Sequence, residues 1–85
     1  MTTTVDLEQE VRRLVADVTR QDTRALGADD DLVEALGVDS LQGLQILARV
    51  EKHFGVRLPD DELIGLRTVG RIAALVERLQ AGGAS

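Results

Sequence analysis

Leu7, Val11, Leu14, Val15 and Val18 recur at helical spacing, which predicts an amphipathic helix over roughly residues 5–20. Thr3 or Thr4 can cap it, and Asp6 and Glu8 complement the positive end of its dipole. From Gln21 to Asp39 the period fades. Gly27 and the run Asp29-Asp30-Asp31 mark a long polar loop, punctuated by Leu32, Val33, Leu36 and Val38. Loops of that length in a compact domain usually carry function, and the spaced apolar residues pin this one to the core. A short helical turn is expected near Leu32–Leu36.

Gly37-Val38-Asp39-Ser40-Leu41 reads as a helix start, with Gly37 as the break and Asp39 or Ser40 as the cap. That helix runs to about Phe54 and ends at Gly55. Pro59-Asp60-Asp61-Glu62-Leu63, with Pro and three acids in one turn, predicts a short third helix. Thr68 caps a final helix whose apolar face is Val69, Ile72, Ala73, Val76 and Leu79, and the tail 81–85 is expected to be disordered. No segment has strand period and no repeat is present. The expected fold is all-α: one domain over 1–80, a bundle of three main helices plus a short third helix, with a long first loop.

At about 100° per residue, the central helix carries two apolar sides. Ile46, Leu47, Val50 and Phe54 share one; Leu41, Leu44 and Ala48 lie nearly opposite. One stripe suffices for a small bundle core. The other is expected at the surface beside Ser40, as a docking face; burial on both sides is the competing expectation.

Composition removes several functions. The chain has 85 residues, 44% hydrophobic and 29% charged, with one Phe, no Trp, Tyr or Cys, and one His. An aliphatic core follows, without aromatic platforms for stacking bases and without a disulfide, thiolate metal site or cysteine nucleophile. Net charge is −5, so a nucleic-acid duplex or an anionic membrane is repelled. Residues 1–28 carry five acids against four bases, 29–66 nine against three, and 67–85 one against three. A charge-steered partner is therefore expected to be basic and to dock on the middle of the chain. No run of apolar residues is long enough to span a bilayer. The first residues lack a basic and an apolar signal region, so a cytoplasmic protein is expected.

Leu36-Gly37-Val38-Asp39-Ser40-Leu41 resembles the Leu-Gly-x-Asp-Ser-Leu signature of acyl carrier proteins, the small helical bundles whose Ser receives 4′-phosphopantetheine from coenzyme A. The first helix, the acidic loop, Asp-Ser-Leu at a helix start and Thr68-Val69 opening the last helix follow the family order. The resemblance implies a non-enzymatic monomer, with no resident metal, modified at Ser40 by a phosphopantetheinyl transferase. It implies that Asp39 contacts that transferase and its metal site, and that partner enzymes read Asp39, Leu41, Leu44, Ala48 and Glu51. Those partners would be acyltransferase, ketosynthase or adenylating and ligase enzymes with basic docking surfaces. The physical logic agrees. A hydroxyl at a helix N-terminus projects from the end of a rod, and a phosphodiester there gains a few tenths to about 1 kcal/mol from the dipole. Ser40 is not a catalytic nucleophile, because His53, thirteen residues on, lies about 20 Å along the same helix.

Many family members carry acids where this chain has Gln42 and Gln45, and Gly43 sits one turn into the helix. The electrostatic handle is thus shifted toward Asp29–Asp31, Glu34 and Asp60–Glu62. That favours a dedicated carrier for polyketide or related natural-product assembly over a housekeeping fatty-acid or an aminoacyl carrier. Two other classes compete, and spacing removes one. A calcium loop starting at Asp29 fails, since its sixth residue is Glu34 and its twelfth Ser40. An unmodified helical adaptor would use the Leu41/Leu44/Ala48 stripe to bind an amphipathic helix.

Overall fold

The computed structural model describes residues 4–82. The helices are α1 (Thr4–Thr19), α2 (Leu32–Leu36), α3 (Ser40–Phe54) and α4 (Val69–Gly82), with a 3-10 helix at Asp60–Gly65 between the last two. Among the described residues there is no strand. The all-α bundle expected from periodicity is what forms. Two differences stand out. The short third element is a 3-10 helix, starting one residue after Pro59 and ending two residues beyond Leu63. The last helix continues through Ala81 and Gly82, which were expected in the tail; half-buried Leu79 still packs against the core there and keeps the final turn wound. The rest of the tail, 83–85, and the candidate cap Thr3 lie outside the described residues.

α1 packs against both α3 and α4. Leu7, Val11, Leu14 and Val15 face Ile46 and Val50 of α3 and Val69, Ile72, Ala73 and Val76 of α4 in one aliphatic core. Fully burying each large aliphatic side chain stabilises the fold by about 1.5–3 kcal/mol. The lone aromatic, Phe54, is only half-buried at its edge.

The first loop is stapled down by polar and apolar contacts. Thr23 Oγ1 donates to Arg12 O at 2.8 Å, and Arg12 Nε donates to Leu26 O at 2.7 Å. Leu26, Leu32 and Val38 enter the core, whereas Val33, counted with them in the sequence, points outward at 46% exposure. Leu32 N–H donates to Arg67 O and Gly70 N–H to Ala28 O, tying the loop to the entry of α4. Gly70 lets the two segments approach closely: a Cβ there would lie 3.0 Å from the Ala28 carbonyl oxygen. Two of the three carboxylates in the Asp29–Asp31 run are spent locally. Asp30 Oδ2 accepts from Gly27 N–H, and Asp31 caps α2 through Val33 N–H and Glu34 N–H while pairing with Arg67 at 2.9 Å.

Candidate functional site at the start of the central helix

Gly37, at φ 69°, terminates α2 in the left-handed region, its N–H donating to Val33 O. A residue with a Cβ is strained in that conformation. The chain then turns extended. Val38 is driven into the core and Asp39, at φ −93°, ψ −180°, becomes the N-cap of α3. Its Oδ1 accepts from Gln42 N–H at 2.7 Å, so of the two expected caps Asp39 is the one used. With Val38 anchored below and Asp39 holding the first turn, Ser40 is left exposed as the first residue of the helix.

Leu41 and Leu44 are exposed at 64% and 59%, and Ala48 is exposed beyond them. Ile46 and Val50 are buried on the other side. The two-sided pattern is therefore a core stripe plus a surface stripe, and burial on both sides is excluded. Glu51 shares the outer face by angle, but its Oε2 accepts from Leu58 N–H at 2.8 Å. Its carboxylate fixes the chain leaving α3, a duty the spacing did not reveal. His53 lies at the far end of α3, its Nε2 3.4 Å from Glu10 Oε1 on α1. The structure thus sets the one imidazole of the chain well away from Ser40.

Between α3 and the 3-10 helix runs an open, mainly apolar groove of about 700 Å³ that begins at Ser40. Gly43, Leu47, Leu63, Ile64 and Leu66 line it. Sequence reasoning missed this groove, because Leu63, Ile64 and Leu66 have no helical period and only their meeting with α3 shapes it. The absent side chain at Gly43 keeps the groove open where it meets the first turn of α3.

Charge around the site is less acidic than the counts imply. Asp31 is matched by Arg67, and Glu62 by Arg78 at 2.8 Å. Desolvation alone would raise the Asp31 carboxyl, but the Arg67 hydrogen bond, the N–H groups of Glu34 and Val33 and the Arg67 charge outweigh it and hold it below the ordinary carboxylate range. Asp29, Glu34, Asp60 and Asp61 remain as exposed acids.

An exposed hydroxyl at a capped helix start, with no imidazole near it and an apolar groove beside it, fits covalent attachment of an arm by a separate enzyme. Comparison with known proteins agrees. Residues 9–76 match the family described as the phosphopantetheine attachment site. An acyl carrier protein of Rhodococcus erythropolis is 39% identical over 75 residues, covering 88% of this chain and 82% of that protein. The polyketide-8 synthase acyl carrier protein 2 of Streptomyces avermitilis is 46% identical over 68 residues, 80% of this chain and 77% of that one. A meromycolate extension acyl carrier protein of Mycobacterium tuberculosis is 31% identical over 70 residues, 82% of this chain and 61% of the relative. A solvent-facing serine on a small all-helical bundle, the family match across most of the chain and these relatives lead to one assignment: the chain belongs to the acyl carrier proteins, non-catalytic carriers that work with 4′-phosphopantetheine and serve biosynthetic enzymes.

Proposed function

We propose that Ser40 is the residue that takes the arm and that the chain carries acyl intermediates for a dedicated polyketide or related natural-product pathway. The exposure of Ser40 at the N-terminus of α3 carries the attachment assignment. Ser40 Oγ forms a bond to phosphorus as the pyrophosphate of coenzyme A breaks, the adenosine bisphosphate leaves, and the hydroxyl proton passes to a base on the transferase. When bound, the arm supplies a terminal thiol that holds cargo as a thioester. The residues of the chain hold and present it. The dipole at the start of α3 favours a phosphodiester on Ser40, while Asp39, an anion that already takes the Gln42 N–H, works against it and serves recognition instead. Leu41, Leu44 and Ala48 give partner enzymes an apolar contact, with Asp39 at its edge. The groove beside Gly43 offers apolar cover to whatever hangs from the site. Glu51 belongs to this recognition set as well, with Leu58 N–H fixing one of its oxygens.

The polyketide context is supported by the Streptomyces relative and by the neutral Gln42 and Gln45 where a strongly acidic helix face would suit basic fatty-acid enzymes. Coenzyme A as donor suits a cytoplasmic site; no described helix is long and apolar enough to cross a membrane. Incubation with coenzyme A, magnesium and a broad-specificity phosphopantetheinyl transferase tests the attachment. Intact mass should rise by one arm in the wild type and stay fixed in Ser40→Ala. A Ser40→Ala chain that still gains the arm, or a wild type that gains none beside a loaded control carrier, would contradict it.

A further inference from the structure

The outer face of α3 changes sign along its length. The first turn carries no acid of its own but follows directly on Asp39, with exposed Glu34 shortly before it in the chain. The far half carries Arg49 and Lys52, both exposed, against the helix's single carboxylate, Glu51, which is half-buried and accepts from Leu58 N–H. Arg20, just past the end of α1, joins Arg49 and Lys52 around an open depression of about 440 Å³ that Ala48 also lines. The one acid there is Asp17, which reaches Arg49 only at 3.9 Å with both side chains more than half exposed. Three bases against that one acid leave the depression net positive. Because Ala48 belongs to both the apolar stripe and the depression, the two form one continuous surface.

Taking the carrier assignment as its basis, we propose that this surface docks a partner enzyme of mixed charge: basic groups toward Asp39 and Glu34, an apolar socket for Leu41 and Leu44, and carboxylates toward Arg20, Arg49 and Lys52. Charge complementarity selects that occupant. A uniformly basic enzyme surface meets like charge over the second half of α3, which slows encounter and sets the wrong register. An anionic lipid surface would meet the net −5 chain, and a second copy laid on the same face would bring cation onto cation unless reversed. Arg49 and Lys52 are thus specificity determinants as well as surface residues: they admit enzymes with acids at that end and reject those without.

A charge-swap cycle tests this, with a bacterial fatty-acid malonyltransferase of basic docking surface as the probe. The partner to it is a probe variant whose basic residues facing the second half of α3 are replaced by Glu. Each is assayed against arm-loaded wild type and arm-loaded Arg49→Glu/Lys52→Glu, after mass spectrometry has confirmed loading at Ser40. Wild type should prefer the Glu-substituted probe and the double variant the basic one, each by about tenfold in kcat/KM at low ionic strength. The preference should shrink in high salt. Arg49→Gln/Lys52→Gln should fall between them, with an unfolding midpoint equal to wild type. Normal loading without reversal of preference overturns this proposal alone. Failure to load overturns the carrier assignment and the proposal with it. Self-association that requires Arg49 and Lys52, or binding to phosphatidylglycerol vesicles through them, would overturn the choice of occupant.

Discussion

Asp39 has two duties, and one substitution confounds them. Its carboxylate caps α3 through Gln42 N–H, and it stands beside Ser40 where the transferase must approach. Asp39→Ala should lower stability by about 1 kcal/mol, the ordinary cost of a lost N-cap, and should slow loading. Asp39→Asn keeps an oxygen for the cap and removes the charge. Its unfolding midpoint should match wild type within experimental scatter, while loading by the transferase stays slow. Loading restored to wild-type rate in Asp39→Asn would assign the residue to the cap alone. Gly43 is a second informative position. A Cβ there meets nothing closer than Val38 Cγ1 at 4.0 Å, so Gly43→Ala should raise stability by up to about 1 kcal/mol in denaturant titration. A loss of stability would show that the first turn of α3 is not regular helix in solution.

At the scale of elements, the first loop is the part least legible in sequence and the most constrained in structure. The helices declared themselves because burial repeats every three or four residues; Leu7 to Val18 and Val69 to Leu79 could be placed from spacing alone. Leu26 could not, because a single apolar residue in a polar stretch has no period. Thr23 looked like loop polarity and is buried, held by Arg12 O. Leu75, buried next to Val76, widened the α4 face beyond the stripe expected. The run Asp29–Asp31 looked like a uniform charge patch, and only the fold shows Asp30 and Asp31 working as loop staples. Two tests belong here. Gly70→Ala must push the Ala28 carbonyl away, and a backbone atom yields poorly, so a loss of about 1–3 kcal/mol is expected; an unchanged midpoint would mean the loop does not sit on α4. The second is pH dependence. The Asp31 carboxyl is depressed in the folded chain, so its contribution is present above the ordinary carboxylate pKa of 3.8 and is lost as pH falls below it, through the lowered folded value. Acid unfolding monitored by circular dichroism should therefore be less steep in that range for Asp31→Asn than for wild type. Equal slopes would show that the Arg67 pair contributes nothing to folding.

For the whole molecule, the signature around Ser40 was readable as chemistry before it was readable as geometry. Leu36 to Leu41 pointed to a modified serine; exposure of that serine needed Val38 buried on one side of it and α3 rising on the other. The outer stripe of α3 was visible by angle, but the second duty of Glu51, which accepts from Leu58 N–H, was not. The groove needed α3 and the 3-10 helix to meet. Function at this scale rests on one covalent bond, and the chain isolates it conveniently: trypsin should release Ala25–Arg49, whose only hydroxyl side chain is Ser40. The most direct measurement is tandem mass spectrometry of that peptide from protein purified out of its native host. It should carry one 4′-phosphopantetheinyl group, with or without a thioester, on Ser40. The same peptide recovered wholly unmodified from cells whose other carriers are loaded, or an arm found on a different peptide, would contradict the account.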